Sequence, residues 1–135
     1  MPWDASPAAG FTAPGVRPWL PIGGHAERNV AGQRDDPAST LRFCRDLLAL
    51  RRAELGGTIA APYTQLPGPP GVWVYRVGGL VVVANFADEP ACLGELAGPL
   101  LLSTSRATAG QEPAGQAGRL GPWEGVIVRD GGAVT

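Results

Sequence analysis

Few side chains in this 135-residue chain can react or bind a cofactor, and their spacing narrows the chemistry further. His25 is the only histidine, so any Ser-His-Asp or Cys-His triad must use it. It follows Gly23-Gly24, in a turn-forming stretch with no nucleophile elbow nearby, and a triad is rejected. Cys44 and Cys92 lie far apart, without the closely spaced partners of a zinc site, and no metal or other cofactor is expected. Gly23-Gly24 and Gly56-Gly57 lack the strand and helix flanks of a phosphate-binding loop. The acids come as neighbours, Asp35-Asp36 and Asp88-Glu89, which point apart or sit in turns. A glycosidase pair must instead face across a cleft at roughly 5–10 Å. Asp4 is the only acid among residues 1–22, a stretch that also holds Trp3, Phe11 and Trp19. Those rings could form a platform for the apolar face of a sugar, or plugs that dock the loop on a neighbour.

The elements that must position these groups follow from periodicity. Residues 1–36 are broken by proline and glycine yet rich in large apolar side chains, which implies an ordered, wandering loop packed on something. Asp36-Pro37 reads as the start of a helix, with Asp36 capping the free amides. Leu41, Cys44, Leu47 and Leu48 recur at helical spacing, and Phe43 and Leu50 widen the stripe beyond what one packing partner covers. Gly56-Gly57 ends the helix.

The rest reads as short strands. Val72–Val77 and Leu80–Phe86, joined by Gly78-Gly79, form the strongest local signal, a β-hairpin. Trp73, Tyr75 and Val77 share one face; Val72, Val74 and Arg76 share the other. Leu80–Ala84 is apolar on both faces and reads as a central strand. Further strands are expected around Tyr63 within 58–66, at 91–96, at 100–102, and at 123–129, with 105–122 looping out and 131–135 fraying. The fold class is mainly β: a small antiparallel β-sandwich preceded by one long α-helix and an ordered N-terminal loop.

Bulk properties exclude some partners. Eleven basic residues, all arginine, against twelve acidic ones leave no basic field for nucleic acid or anionic lipid. No apolar run reaches the roughly 20 residues of a membrane span, and no signal peptide precedes the loop, so a cytoplasmic location is expected. The two cysteines read as small buried hydrophobes rather than a bridge.

Several short motifs run in one order: Met1-Pro2-Trp3-Asp4, Ala9-Gly10-Phe11-Thr12, Pro18-Trp19-Leu20-Pro21, Asn29-Val30-Ala31 with Gln33, Asp36-Pro37, and Leu47-Leu48-Ala49-Leu50-Arg51-Arg52. Together they resemble the C-terminal part of α-glucosidases of the α-amylase superfamily, glycoside hydrolase family thirteen, in its oligo-1,6-glucosidase-like branch. Those enzymes typically read Pro-Met-Gln-Trp-Asp where this chain begins, and Pro2 stands at the usual glutamine. The match is strong over residues 1–55; beyond it lie only the hairpin, Ala84-Asn85-Phe86 and a closing strand.

The resemblance implies that residues 1–57 are the last loop and helix of a catalytic (β/α)8 barrel and that 58–135 are the C-terminal β-sandwich, domain C. It also implies that the catalytic carboxylates lie on barrel segments upstream, so no catalytic residue is carried over. Trp3, Asp4 and Phe11 would line the rim of the active-site mouth, because barrel sites are built from the loops after the strands. The expected partner is the missing barrel, with α-gluco-oligosaccharides as ligand. The open helix stripe could also support a homodimer. The alternative is a free-standing β-sandwich that binds glycans or a partner protein.

Overall fold

The computed structural model describes residues 1–56, 61–94, 96, 98–106 and 118–131. It divides into two compact units, Met1–Asp46 and Leu47–Thr135.

In the first unit the N-terminal stretch is an ordered loop held by its own backbone. The Trp3 amide donates to the Ala9 carbonyl (2.9 Å), and the Pro2 and Trp3 carbonyls accept from Val30 and Ala31 (3.0 and 2.9 Å). Those contacts seat the start of the chain beside a short helix, α1 (Val30–Arg34). Asn29 caps α1: its Oδ1 accepts from the Gly32 amide at 2.8 Å and its Nδ2 donates to the His25 carbonyl at 2.7 Å. Val30 and Ala9 are buried, giving the loop a small apolar anchor.

The long helix, α2 (Thr40–Leu55), starts later than Asp36-Pro37 suggests. Asp36 makes a local turn instead, its Oδ1 accepting from the Ala38 amide at 2.9 Å. The helix cap is Ser39, whose Oγ accepts from the Arg42 amide at 3.2 Å. Gln33 adds a second acceptor, its Oε1 taking the Leu41 amide at 3.1 Å. Proline at 37 fits a turn as readily as a first helical position, so it does not separate the two readings. No residue of α2 is buried, and Leu48 is half exposed.

The second unit is an antiparallel sheet of five strands with a two-stranded ribbon. The five are β1 (Tyr63–Leu66), β2 (Val72–Val77), β3 (Leu80–Asn85), β5 (Leu100–Ser103) and β7 (Gly125–Arg129), in the order β1-β2-β3-β7-β5. The ribbon pairs β4 (Ala91–Cys92) with β6 (Arg119–Leu120). The β2–β3 hairpin has the expected two-residue loop, with Val77 opposite Leu80 and Gly78 at φ 56°, where a Cβ would also meet Leu55 at 2.8 Å. β3 is the central strand, and Val81 and Val83 are completely covered.

Alternation sets the two faces. Val74, Val81, Val83, Val126 and Val128 point to one side, where they pack with Leu96 and with Leu120 of the ribbon; this is the sandwich core. Tyr75, Val77, Leu80, Val82 and Ile127 point to the other, where Leu47, Leu50 and Leu55 of α2 stand over them across a cleft of about 240 Å³. A bidentate ion pair from Arg129 to Glu54 ties β7 to the last turn of α2.

Several local expectations need correction. Cys44 and Cys92 are exposed free thiols rather than buried hydrophobes: no residue of α2 is buried, and Cys92 pairs with exposed Arg119 while its neighbour Ala91 pairs with buried Leu120. The stretch after 104 is not all loop, since Arg119–Leu120 is a strand that contributes a core leucine. The closing strand begins at Gly125, because Trp123 takes a left-handed φ of 55° and turns outward. The expected strands at 58–60 and 95, the middle of the 105–122 loop and the fraying of 132–135 lie outside the described residues.

Candidate functional site

The three rim residues sit in the first unit. Trp3 is 56% exposed, its backbone engaged on both sides by Ala9 and Ala31. Asp4 closes a turn on itself: its Oδ1 accepts from the Ser6 amide at 2.9 Å. Hydrogen bonds from Ser6 hold its carboxyl below the usual carboxylate range. Gly10 presses on both residues. It has φ 72°, and a Cβ there would stand 2.8 Å from the Trp3 Cβ and 3.2 Å from an Asp4 carboxylate oxygen. Only glycine permits that approach without moving the indole.

Phe11, half exposed, turns away from this pair and lines a cleft of about 430 Å³. Its other walls include Met1, Pro2, Trp19, Leu20 and Ile22. The structure therefore brings Trp3 and Asp4 together through Gly10 and places Phe11 on a separate apolar cleft. Leu20 and Ile22 were not singled out as site residues from the sequence, although the Pro-Trp-Leu-Pro-Ile run marks them as large apolar groups that prolines keep out of a helix or strand. Trp19 does not plug its own loop: it is 95% exposed.

The cleft can bind an apolar surface. Among the described residues that line it, the one hydroxyl, from Thr12, donates to the Val16 carbonyl at 3.1 Å, and none carries a carboxylate. Two acids elsewhere have structural work: Glu54 pairs with Arg129, and Glu124, buried, accepts from the Ser103 hydroxyl (2.9 Å) and the Gly121 amide (2.7 Å). Among the described residues no cluster of three or more His, Cys, Asp or Glu could hold a metal ion, and no helix is long and apolar enough to cross a membrane.

Taken together, these features define a small mainly-β sandwich with a helix over one sheet face and an ordered apolar loop ahead of it. Comparison with known families places it further: the profile described as "Domain of unknown function (DUF3459)" matches residues 60–127, and the chain belongs to that family. It is 43% identical over 53 residues to an alpha-glucosidase of Schizosaccharomyces pombe, a match covering 38% of this chain and 9% of that protein. It is 46% identical over 54 residues to a probable alpha-glucosidase of Rhizobium meliloti, covering 39% and 9%. The resemblance to α-glucosidases drawn from the N-terminal motifs holds.

Solved structures of the trehalulose synthase MutB share the fold. MutB from Pseudomonas mesoacidophila MX-45 superposes with a TM-score of 0.71 at 28% identity, covering 95% of this chain and 24% of that one. A MutB variant in complex with the substrate sucrose gives 0.73 at 27%, covering 96% and 24%. The chain thus spans about a quarter of these structural neighbours' length, and its matches span under a tenth of the curated relatives.

Proposed function

We propose that this chain is the C-terminal segment of an α-glucosidase-type glycoside hydrolase acting on α-linked gluco-oligosaccharides, non-catalytic by itself and packed in the whole enzyme against a (β/α)8 barrel. The carrying observation is the coverage: nearly all of this chain superposes on about a quarter of a sucrose-acting enzyme, at 27% identity. The parent chemistry would be retaining, with two carboxylates flanking the glycosidic bond, one as nucleophile and one as acid/base. Among the described residues, those lining the clefts of Phe11 and of Tyr75 include no acid that could serve in either role.

On this reading residues 1–57 complete the barrel and 58–135 form domain C. The exposed Trp19, Leu20 and Leu48 support a covering barrel, since each large apolar side chain left in water forgoes about 1.5–3 kcal/mol of burial. Trp3, Asp4 and Phe11 belong to the rim of the mouth, with Gly10 fixing the first two. Two exposed, unbridged thiols fit a reducing, cytoplasmic setting.

The direct test is hydrolysis of 4-nitrophenyl α-glucoside by the purified chain. The expected result is no turnover above buffer; clear turnover would refute the assignment.

A further inference from the structure

We propose that the cleft between α2 and the five-stranded sheet binds a small amphipathic carboxylate, with its apolar body between helix and sheet and its charge on Arg51. The site lies wholly within the second unit. Leu47, Leu50 and Leu55 form its helix wall, and Val77, Val82 and Ile127 belong to its sheet wall. Two contacts hold the walls in place. A Cβ on Gly78, in the β2–β3 turn, would meet Leu55 at 2.8 Å, and Glu54 is gripped by Arg129. Yet Leu47, Leu50, Val77, Val82 and Ile127 are only half-buried, so helix and sheet do not close on each other.

The size of the cleft limits the ligand. An apolar cavity of about 150 Å³ takes benzene, so about 240 Å³ has room for one ring with a short side chain, or for an aliphatic chain of similar bulk.

The polar groups set the ligand's charge. Among the described residues that line the cleft, Arg51 is the one charged side chain and Tyr75 the one hydroxyl. Neither side chain makes a hydrogen bond or ion pair with another described residue. Glu54, one turn along α2, has both carboxylate oxygens on Arg129 and does not pair with Arg51. A guanidinium offers a planar fork of N–H donors that a carboxylate matches. Burial, then the neighbouring Tyr63, raises the Tyr75 pKa above 10.0, which keeps the phenol a donor at neutral pH. A sugar fits poorly, because most of its hydroxyls would face leucine, valine and isoleucine. A phosphate needs more donors than one guanidinium and one phenol supply. An apolar body carrying a single carboxylate satisfies both the walls and the donors. The inference does not rest on the segment assignment above.

The test is a titration of the full chain with hydrocinnamate and, in a separate arm, with octanoate, following the methyl signals of Leu47, Val82 and Ile127 together with the thermal melt. At least one acid should give saturable shifts at those methyls and raise the melting temperature, and the arm that does so tells a ring from a chain. The corresponding neutral amide should bind at least about fivefold more weakly. Arg51 is exposed, so Arg51→Gln should leave the fold intact; it should weaken the acid by a similar factor and leave the amide unchanged. Arg52→Gln, next along the helix but outside the cleft, should change neither. No saturable methyl shift with either acid, equal affinity for acid and amide, or full acid affinity in Arg51→Gln would overturn the proposal.

Discussion

Arg129 and Glu54 meet in a two-point ion pair, Nη1 to Oε2 at 2.8 Å and Nη2 to Oε1 at 2.7 Å, joining the closing strand β7 to the last turn of α2. The guanidinium's planar fork matches the carboxylate, and the pairing raises the arginine pKa, first through the hydrogen bonds and then through the charge of Glu54. Because Arg129 is half exposed, solvent and salt screen the pair. Glu54→Gln should therefore lower the melting temperature slightly, and the difference from the parent chain should shrink as salt is raised in a thermal melt. Arg129→Lys should behave in the same way, since an ammonium cannot make both contacts.

Asn85 should matter far more. It is 2% exposed and holds three backbone groups at once: its Nδ2 donates to the Glu89 and Gly121 carbonyls, both at 2.8 Å, and its Oδ1 accepts from the Ala87 amide at 3.0 Å. Asn85→Ala strands those groups, and each buried polar group left unpaired costs about 1–3 kcal/mol. Urea unfolding should show a loss of about 2–4 kcal/mol. A loss within experimental error would mean that the turns after β3 do not depend on this side chain.

Gly10 makes a local prediction in the loop. Gly10→Ala puts a methyl group where the Trp3 Cβ already stands, at a φ that L-residues avoid. Stability should fall by about 1 kcal/mol or more, and the Trp3 indole signal should shift while those of Trp73 and Trp123 stay in place. An unchanged Trp3 signal would show that the loop gives way without involving the indole.

Two side chains set a pH dependence in opposite directions. Hydrogen bonds from Ser6 lower the Asp4 pKa in the folded chain below its ordinary value of 3.8, so its contribution is present above that value and is lost as pH falls through the lower folded one. Burial, then the neighbouring Tyr63, raises the Tyr75 pKa above 10.0. Its contribution is present below pH 10.0 and is lost as pH rises through the higher folded value. Tyrosinate absorbance compared between the parent and Tyr75→Phe should show Tyr75 ionising late; ionisation at or below pH 10.0 would contradict the packing described.

The exposed apolar side chains should make the isolated chain associate. Trp19 is 95% exposed, Leu20 66% and Leu48 50%. Light scattering at rising concentration should show dimers or larger species, reduced by Trp19→Ser or Leu48→Glu. A clean monomer at high concentration in the parent chain would argue that these residues need no cover.

The fold was legible where one physical signal dominates. The β2–β3 hairpin follows from two β-branched and aromatic runs about two glycines, and the face assignments of Trp73, Tyr75 and Val74 follow from the period of two. The cysteines misled because a helical stripe tells which residues share a face, not whether each of them is covered, and Cys44 is exposed. The cap of α2 moved from Asp36 to Ser39 because both can accept an amide, and the hydrogen bonds of Ser39 to the Gln33 and Asp36 carbonyls choose between them. Strand β6 was invisible: two residues in a stretch rich in glycine and alanine carry no period, and Leu120 is buried by long-range pairing with Ala91. For the rim residues, the motifs marked Trp3, Asp4 and Phe11 as a set, but the left-handed turn at Ala9-Gly10, which sends Phe11 to another cleft, is not written in their spacing.

The most direct measurement is complementation in trans. An α-glucosidase such as that of Schizosaccharomyces pombe would be truncated before the region that matches this chain and titrated with it, following both binding by calorimetry and α-glucoside hydrolysis. The account predicts saturable association, weakened by Trp19→Ser, with recovery of activity that neither piece has alone. A folded chain that fails to bind the truncated enzyme, or that hydrolyses α-glucosides unaided, would contradict it.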